Sequence, residues 1–158
     1  MELDAIDIKI VNLLQENSKA NTKEIAMRVG LTITPTYERI KRLEKDGIIT
    51  KYVALVNHLK LGYGMTVYCQ VSLQVHSKDL INRFENAITK LDEVLECHHV
   101  AGNYDYLLKV VVPDIEHYQL FLKNKLSVLS SVGNVRSNIV MSSAKNEIKV
   151  PLAPKGGN

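Results

Sequence analysis

The segment Thr22–Gly47 constrains the fold more than any other part of this sequence, because it predicts two short helices joined by a tight turn. Asn21, with Glu24 three residues later, resembles a capping box at the start of the first helix. Gly30 marks the end of that helix, since glycine readily takes the left-handed conformation found after a last helical turn. The turn then covers residues 30–32, in a helix-turn-helix arrangement.

The second helix of this pair carries clustered basic residues. Tyr37, Ile40 and Leu43 are spaced so that one stripe of the helix can be buried. Either Thr32 or Thr34 can serve as the N-cap residue. The residues on or beside the opposite side are Pro35, Glu38, Arg39, Arg42 and Lys45. In helix-turn-helix proteins the second helix enters the DNA major groove by its N-terminal end, so this pattern indicates a DNA-contacting helix.

Helix geometry assigns expected DNA contacts to nine residues. They are Thr32, Thr34, Pro35, Thr36, Glu38, Arg39, Lys41, Arg42 and Lys51. The residues at the start of the helix are expected to touch base edges or thymine methyl groups, and the two arginines to reach guanine edges or phosphates. Lys41 and Lys51 are expected to contact phosphates. Glu38 is expected to orient an arginine or to accept from a cytosine amine, and a simple i,i+4 pair with Arg42 is the alternative.

The flanking residues complete a three-helix winged module predicted for residues 1–56. Apolar residues at helical spacing from Asp4 to about Asn17 predict a bracing helix with Asp4 as its N-cap. The β-prone run Thr50–Val56 predicts a wing, whose Lys51 and Tyr52 would rest against the phosphate backbone. Periodicity alone leaves a second interpretation, in which the basic side of the helices is a solvated face that binds nothing.

A change of pattern after the first module predicts a second domain. Residues 57–64 contain two glycines and are expected to form a hinge. Alternating apolar and polar residues from Met65 to His76 then predict a strand with one face on a core. The segments that follow are a helix from Ser77 to Leu91, strands Val94–Ala101 and Asn103–Val112, a helix from Pro113 to Leu129 and a strand Val132–Ser143.

This order, β-α-β-β-α-β, predicts a ferredoxin-like domain for residues 65–145 and an α+β chain overall. One face of its sheet is expected to stay uncovered by helices. The residues expected on that face are Tyr68, Gln70, Ser72, Gln74, Val100 and Val140. A sheet face of this mixed character often docks on its twin, so we expect a homodimer that presents two DNA-contacting modules. A solvated sheet face is the alternative.

Composition and the chain ends narrow the class of protein. The 158 residues are 46% hydrophobic, which suits a globular protein, and the net charge of +3 permits contact with a polyanion without demonstrating it. No stretch approaches the about 20 apolar residues of a membrane span, so we expect a cytoplasmic protein with no membrane partner. Cys69 and Cys97 are expected to be buried thiols. Residues 146–158 are expected to form a loose tail.

Three motifs at their observed separations carry a family resemblance. They are Leu3-Asp4 with Asp7, the run GLTITPTYERIKRLEKDGII at residues 30–49, and GNYDYLLKV at Gly102–Val110. Together they resemble the Lrp/AsnC family of feast/famine transcriptional regulators over nearly the whole chain. The resemblance implies a sequence-specific regulator of promoter DNA, with an N-terminal winged helix-turn-helix, a hinge and a C-terminal ferredoxin-like domain. It also implies dimers that often assemble further into tetramers or octamers.

The resemblance further implies a small effector, commonly an amino acid, bound near Gly102, Asn103, Tyr104 and Asp105. The chemistry suits such a ligand, because Gly102 lets a backbone N–H approach a carboxylate and Asp105 could accept from an α-ammonium group. Asn103 stands where the family often has an acidic residue. A hairpin turn in which Asn103 and Asp105 bind only local backbone is the alternative.

Two other functions compete with gene regulation. The same fold resembles that of siroheme decarboxylases, and Cys97-His98-His99 is the densest cluster of potential metal ligands. In a strand, however, His98 and His99 point to opposite faces, and no second Cys/His cluster is present to complete a site. We therefore expect that the protein is not an enzyme and that it binds no metal and no cofactor other than an amino-acid effector. An amino-acid sensor that has lost DNA contact is the third possibility, against which the set Thr34, Arg39 and Arg42 argues.

Overall fold

The computed structural model describes residues 2–153, which fall into two compact units. Within these residues, unit 1 comprises residues 2–55 and 145–153, and unit 2 is Val56–Ala144. Within residues 2–153, no helix is both long enough and apolar enough to cross a bilayer.

Unit 1 contains the three predicted helices, and the capping signals of the first two are confirmed. The helices are α1 (Ala5–Glu16), α2 (Thr22–Val29) and α3 (Ile33–Lys45). Asp4 caps α1 by accepting the N–H groups of Ile6 and Asp7, and Asn21 and Glu24 form the capping box of α2. Gly30 ends α2 with a left-handed φ of 75°. The structure selects Thr32 as the N-cap residue of α3.

The core of unit 1 joins the three helices around buried aliphatic side chains. These are Ile10, Val11, Leu14, Ile25, Ile40 and Leu43. Tyr37 was predicted to share the buried stripe of α3, but its side chain is 51% exposed. The buried stripe instead runs through Thr36, Ile40 and Leu43, at spacings of four and three residues. Tyr37 lies one position from Thr36, roughly 100° around the helix, and so faces outward.

The prediction of a β-strand in the wing is wrong. Residues 50–56 form no β-structure and are exposed. A β-prone segment needs a partner strand to satisfy its backbone, and unit 1 offers none among the described residues. The segment is tied to α3 by Tyr52, whose hydroxyl donates to Glu44 Oε1 at 3.1 Å. Burial, followed by this contact with Glu44, raises the pKa of Tyr52 to about 12.

The C-terminal segment is not a loose tail where the structure describes it. Gln15 Nε2 donates to the Val150 carbonyl at 3.1 Å, and the Val150 N–H donates back to Gln15 Oε1 at 2.8 Å. Asn12 Nδ2 donates to the Leu152 carbonyl at 3.1 Å, and the Leu152 side chain packs on the core of unit 1. The segment therefore forms part of the helical module, whereas residues 154–158 lie outside the described part.

Unit 2 is one antiparallel sheet with strand order β2-β3-β1-β4 and two helices. Its elements are β1 (Met65–Leu73), α4 (Lys78–Ile88), β2 (Val94–His99), β3 (Tyr106–Val112), α5 (Ile115–Phe121) with a π-helical continuation Leu122–Leu126, and β4 (Val132–Ile139). This order confirms the predicted ferredoxin-like fold and the α+β class. β2 ends at His99, two residues earlier than predicted, and β3 begins at Tyr106, three residues later than predicted, because residues 101–105 form bends between them.

Alternation along β1 builds the core of unit 2. Val67, Cys69 and Val71 are fully buried and pack with Phe84 of α4 and Phe121 of α5. The expected outer-face residues of β1, Tyr68, Gln70 and Ser72, are half-buried. Both cysteines are free thiols, but only Cys69 is buried and Cys97 is half-buried.

Docking of the C-terminal segment predicts a measurable effect on α1. We expect Leu152→Ala to destabilise unit 1 by about 1–2 kcal/mol, because a partly buried leucine loses its apolar contacts with the helical core. Hydrogen exchange followed by mass spectrometry would show faster exchange of the α1 amides. Val150→Ala is the matched control, since the Val150 side chain is 58% exposed and only its backbone binds Gln15. Equal exchange in the two variants would contradict a stabilising role for Leu152.

Candidate functional site

The N-terminal half of α3 presents several exposed side chains. Ile33 and Tyr37 are 52% and 51% exposed, and Thr34 and Glu38 are also exposed. We define the exposed face of α3 as Ile33, Thr34, Tyr37, Glu38 and Lys41. Lys41 Nζ lies 5.7 Å from the centroid of the Tyr37 ring, so the two side chains share one surface. This face combines an aliphatic, a hydroxyl, a phenol, a carboxylate and an ammonium group.

Sequence reasoning missed two members of this face, Ile33 and Tyr37. Their spacing of four residues, continued by Lys41, was the available indication that they share one side of the helix. An exposed isoleucine at the start of a groove-entering helix offers apolar contact to a thymine methyl group. A phenol one turn later can donate to a phosphate or a base edge.

The other predicted residues at the start of α3 differ in accessibility. Thr34 is exposed as expected, and Pro35 is half-buried. The predicted base contact of Thr36 is wrong, because its side chain is fully buried and its hydroxyl donates to the Thr32 carbonyl at 2.9 Å. Thr32 lies exposed at the N-cap position. The exposed side chains at this end are therefore those of Thr34 and its neighbours Thr32 and Ile33.

The two arginines expected to reach DNA bind aspartates of α1 and its cap. Arg39 Nη1 lies 2.6 Å from Asp4 Oδ2 and 2.7 Å from Asp7 Oδ1. Arg42 Nη2 lies 2.6 Å from Asp7 Oδ2. Glu38 was expected to orient one of these arginines, with a simple pair to Arg42 as the alternative, but within the described residues both arginines pair with Asp4 and Asp7 instead. The hydrogen bonds that Arg39 donates to Asp4 and, with a smaller effect, to Asp7 raise the pKa of its guanidinium group.

The remaining cations of the module differ in their pairing. Lys41 Nζ lies 2.8 Å from Glu44 Oε2, and this hydrogen bond raises the pKa of Lys41. Lys51 is exposed in the segment that follows α3. In the part of the chain that the structure describes, Lys45 and Lys51 make no ion pair. Among the cations of α3 and of the segment that follows it, these two are therefore the most available for a phosphate.

A second candidate site is the loop between β2 and β3, which contains the predicted effector residues. Gly102 and Asn103 are exposed, and Tyr104 and Asp105 are half-buried. Asp105 Oδ2 accepts the Leu73 N–H at 2.7 Å, and Asp105 Oδ1 lies 2.7 Å from His76 Nε2. The Leu73 N–H, ahead of His76, lowers the pKa of Asp105 below its ordinary 3.8.

Backbone contacts on both sides of Asp105 hold the same loop. The Asp105 N–H donates to the Val71 carbonyl and the Val100 N–H donates to the Asp105 carbonyl, each at 2.9 Å. Asp105 therefore fastens the loop to the end of β1, which is the local backbone role raised as the alternative. A carboxylate has about four acceptor positions, so these bonds leave capacity for a further donor.

The histidines of β2 are engaged with their neighbours. His98 Nε2 lies 3.3 Å from Glu96 Oε2, and the His99 ring stacks on Tyr106 with 4.8 Å between centroids. Across residues 2–153, no group of three or more potential metal ligands converges.

Comparison with protein families gives two matches that together cover most of the chain. Residues 3–50 match a model described as winged helix-turn-helix DNA-binding, and residues 66–150 match the Lrp/AsnC ligand binding domain. The chain is 40% identical over 151 residues to the leucine-responsive regulatory protein of Escherichia coli K12, covering 96% of this chain and 92% of that protein. The protein of the same name from Klebsiella pneumoniae has the same identity and coverage.

Solved structures agree with this result. A transcriptional regulator from Neisseria meningitidis, solved as a complex with L-Met, superposes with a TM-score of 0.91 at 32% identity, covering 95% of this chain and 97% of that one. An AsnC family transcriptional regulator from Agrobacterium tumefaciens gives a TM-score of 0.90 at 35% identity, with coverages of 94% and 97%.

The bonds of Asp105 predict which substitution disturbs the loop. Asp105→Ala leaves the Leu73 N–H without its partner and should lower the free energy of unfolding by about 1–2 kcal/mol. His76→Ala is the control, because it removes only a pair whose histidine is 62% exposed, which should cost less than about 0.5 kcal/mol. Urea denaturation followed by circular dichroism measures both. Equal losses would show that the His76 pair, and not the backbone bond, stabilises the loop.

The same contact has a defined pH dependence. Because the pKa of Asp105 is lowered in the folded state, its carboxylate stabilises the fold above the ordinary value of 3.8, and this is lost as pH falls through the folded-state pKa. The stability difference between wild type and Asp105→Ala should be full at neutral pH and should shrink below about pH 4. A difference that stays constant down to the acid transition would contradict an ionised Asp105.

Proposed function

The chain belongs to the Lrp/AsnC family of DNA-binding transcriptional regulators, and we propose that it contacts promoter DNA through the exposed face of α3. One observation supports this proposal most directly: Ile33, Thr34, Tyr37 and Glu38 project outward from the N-terminal half of the second helix of a helix-turn-helix. That half of the helix is the part that enters a major groove in such modules. A promoter-binding role also favours a cytoplasmic location.

Each side chain of this face has a groove contact suited to its chemistry. Ile33 and the Thr34 methyl group suit thymine methyl groups, and Glu38 suits the amino group of a cytosine. Lys41, Lys45 and Lys51 suit phosphates, which fix the position of the module without reporting sequence. In this proposal only some of the nine residues predicted from the sequence contribute to DNA contact. Thr36 is excluded because it is buried.

We further propose that the chain acts as a dimer or a higher oligomer. A single module with few available cations holds few phosphates, and two modules in one particle raise the effective concentration of the second contact. Exposed apolar side chains support an interface made by unit 2. Leu59, Leu61 and Tyr63, before β1, are 61%, 60% and 45% exposed, and Ile139 at the end of β4 is 45% exposed.

A small amino acid is the effector that we propose for the loop at residues 102–105. The match of unit 2 to a ligand binding domain supports a ligand, and the L-Met complex of the Neisseria relative supports an amino acid. Asp105 retains acceptor capacity for an α-ammonium group, and the exposed backbone at Gly102 and Asn103 can approach a carboxylate.

A regulatory role without catalysis is the function that we favour over the siroheme-decarboxylase-like alternative. The relatives found are regulatory proteins by name. His98 contacts Glu96 and His99 stacks on Tyr106, so both side chains are engaged by residues of their own sheet. A sensor without DNA contact is disfavoured by the exposed face of α3.

Direct DNA binding is tested by selecting duplexes from a random pool with the purified protein and titrating the selected sequence in a gel-shift assay. Lys51→Ala should weaken binding to all duplexes alike and reduce the slope of log affinity against log salt by about 1, because one phosphate contact is lost per module. Lys90→Ala, an exposed lysine of unit 2 beyond α4, is the matched control. Failure to enrich any sequence would contradict the proposed function.

Effector binding is tested by thermal denaturation with each common amino acid, with the mass measured in solution alongside. A ligand at about 100 times its Kd stabilises the native state by about 2.7 kcal/mol, so one amino acid or a chemically related group should raise Tm. Asn103→Asp is an informative variant, because it restores the acidic residue common in the family and should change which amino acid is bound. Equal Tm values with all amino acids would contradict this effector class, and a monomeric mass would contradict the dimer.

A further inference from the structure

Two arginines of α3 bind one buried carboxylate of α1. Arg39 reaches Asp7 Oδ1 at 2.7 Å and Arg42 reaches Asp7 Oδ2 at 2.6 Å. The Asp7 side chain is only 1% exposed, and its Oδ2 also accepts the Asp4 N–H at 3.2 Å. Because the two arginines are three residues apart, they lie on one side of α3 and hold it at two points one turn apart.

We propose that Asp7 is a positioning residue for DNA recognition, which sets the orientation of α3 through Arg39 and Arg42 and so determines which base edges the exposed face meets. This inference rests on the proposed contact of α3 with DNA. It assigns the arginines a different task from the base contact predicted from the sequence. Asp7 itself is too buried to touch DNA, so any effect of Asp7 on base preference passes through α3.

The position of Arg42 along α3 agrees with a positioning role. A helix rises about 1.5 Å per residue, so Arg42 lies roughly 13 Å beyond Ile33 along the axis. The N-terminal residues of a recognition helix are the ones that reach base edges, and Arg42 is in the C-terminal half of α3. One of its Nη2 hydrogens is already donated to Asp7, which holds the guanidinium group towards α1.

Direct contact of Arg42 with guanine and positioning of α3 by Asp7 predict opposite effects of Asp7→Asn on affinity for the selected duplex. This substitution removes a negative charge beneath the two arginines and leaves their guanidinium groups more available to DNA. If Arg42 contacts guanine directly, Asp7→Asn should bind the selected duplex at least as tightly as wild type. If Asp7 positions α3, the substitution should weaken binding to the selected duplex and should strengthen, or leave unchanged, binding to unrelated DNA.

The experiment measures affinity for the selected duplex and for an unrelated duplex, and repeats the random-pool selection with each variant. For Asp7→Asn we expect about a tenfold or greater loss on the selected duplex and no loss on the unrelated one. We also expect weaker base preference at several positions. Asp46→Asn is the charge-matched control, because Asp46 is an exposed residue at the end of α3. Affinity of Asp7→Asn equal to that of Asp46→Asn would overturn the proposal.

A second pair of variants keeps the test decisive if Asp7→Asn does not fold. In Arg42→Lys the new side chain can still pair with Asp7 but cannot make bidentate hydrogen bonds to guanine. In Arg42→Met only the apolar packing of the side chain remains. We expect Arg42→Lys to retain the wild-type base preference and Arg42→Met to lose it at several positions. Loss of preference at a single guanine in both variants would overturn the proposal. Failure of the wild-type protein to select any duplex would instead overturn the proposed function.

Discussion

The buried carboxylate of Asp7 is the interaction on which the arrangement of unit 1 depends. A carboxylate removed from water without partners costs several kcal/mol, so a helix can carry one inward only if cations or N–H groups meet both oxygens. Arg39, Arg42 and the Asp4 N–H meet them here. Any rotation of α3 about its axis would break at least one of these bonds, so the same contacts fix which side chains of α3 face outward.

This arrangement also limits how strongly one module attracts DNA. Two of the cations on α3 are neutralised by Asp4 and Asp7, and Lys41 pairs with Glu44. A module built this way has a defined orientation but little excess positive charge, in keeping with the net charge of only +3. In the dimer that we propose, a second linked module would add affinity through effective concentration, without new charge.

The features that could be predicted from the sequence are those encoded by neighbouring residues. Capping by Asp4 and Asn21, the end of α2 at Gly30 and alternation along β1 depend on short spacings, and each is present. The features that were missed depend on distant partners. Arg39 and Arg42 bind Asp7 across 32 and 35 residues, and Val150 binds Gln15 across 135. A helical wheel places Arg42 on the surface of α3, but only the packed module shows that it binds Asp7 of α1.

The structural contacts of Asp105 in unit 2 are compatible with the ligand-binding role that we propose for it. Its two oxygens already bind the Leu73 N–H and His76, which hold the loop before any ligand arrives. A group fixed in this way loses little conformational freedom on binding, and its unused acceptor positions remain open to an ammonium group. The local bonds that make Asp105 look purely structural are therefore the ones that would prepare it to bind an amino acid.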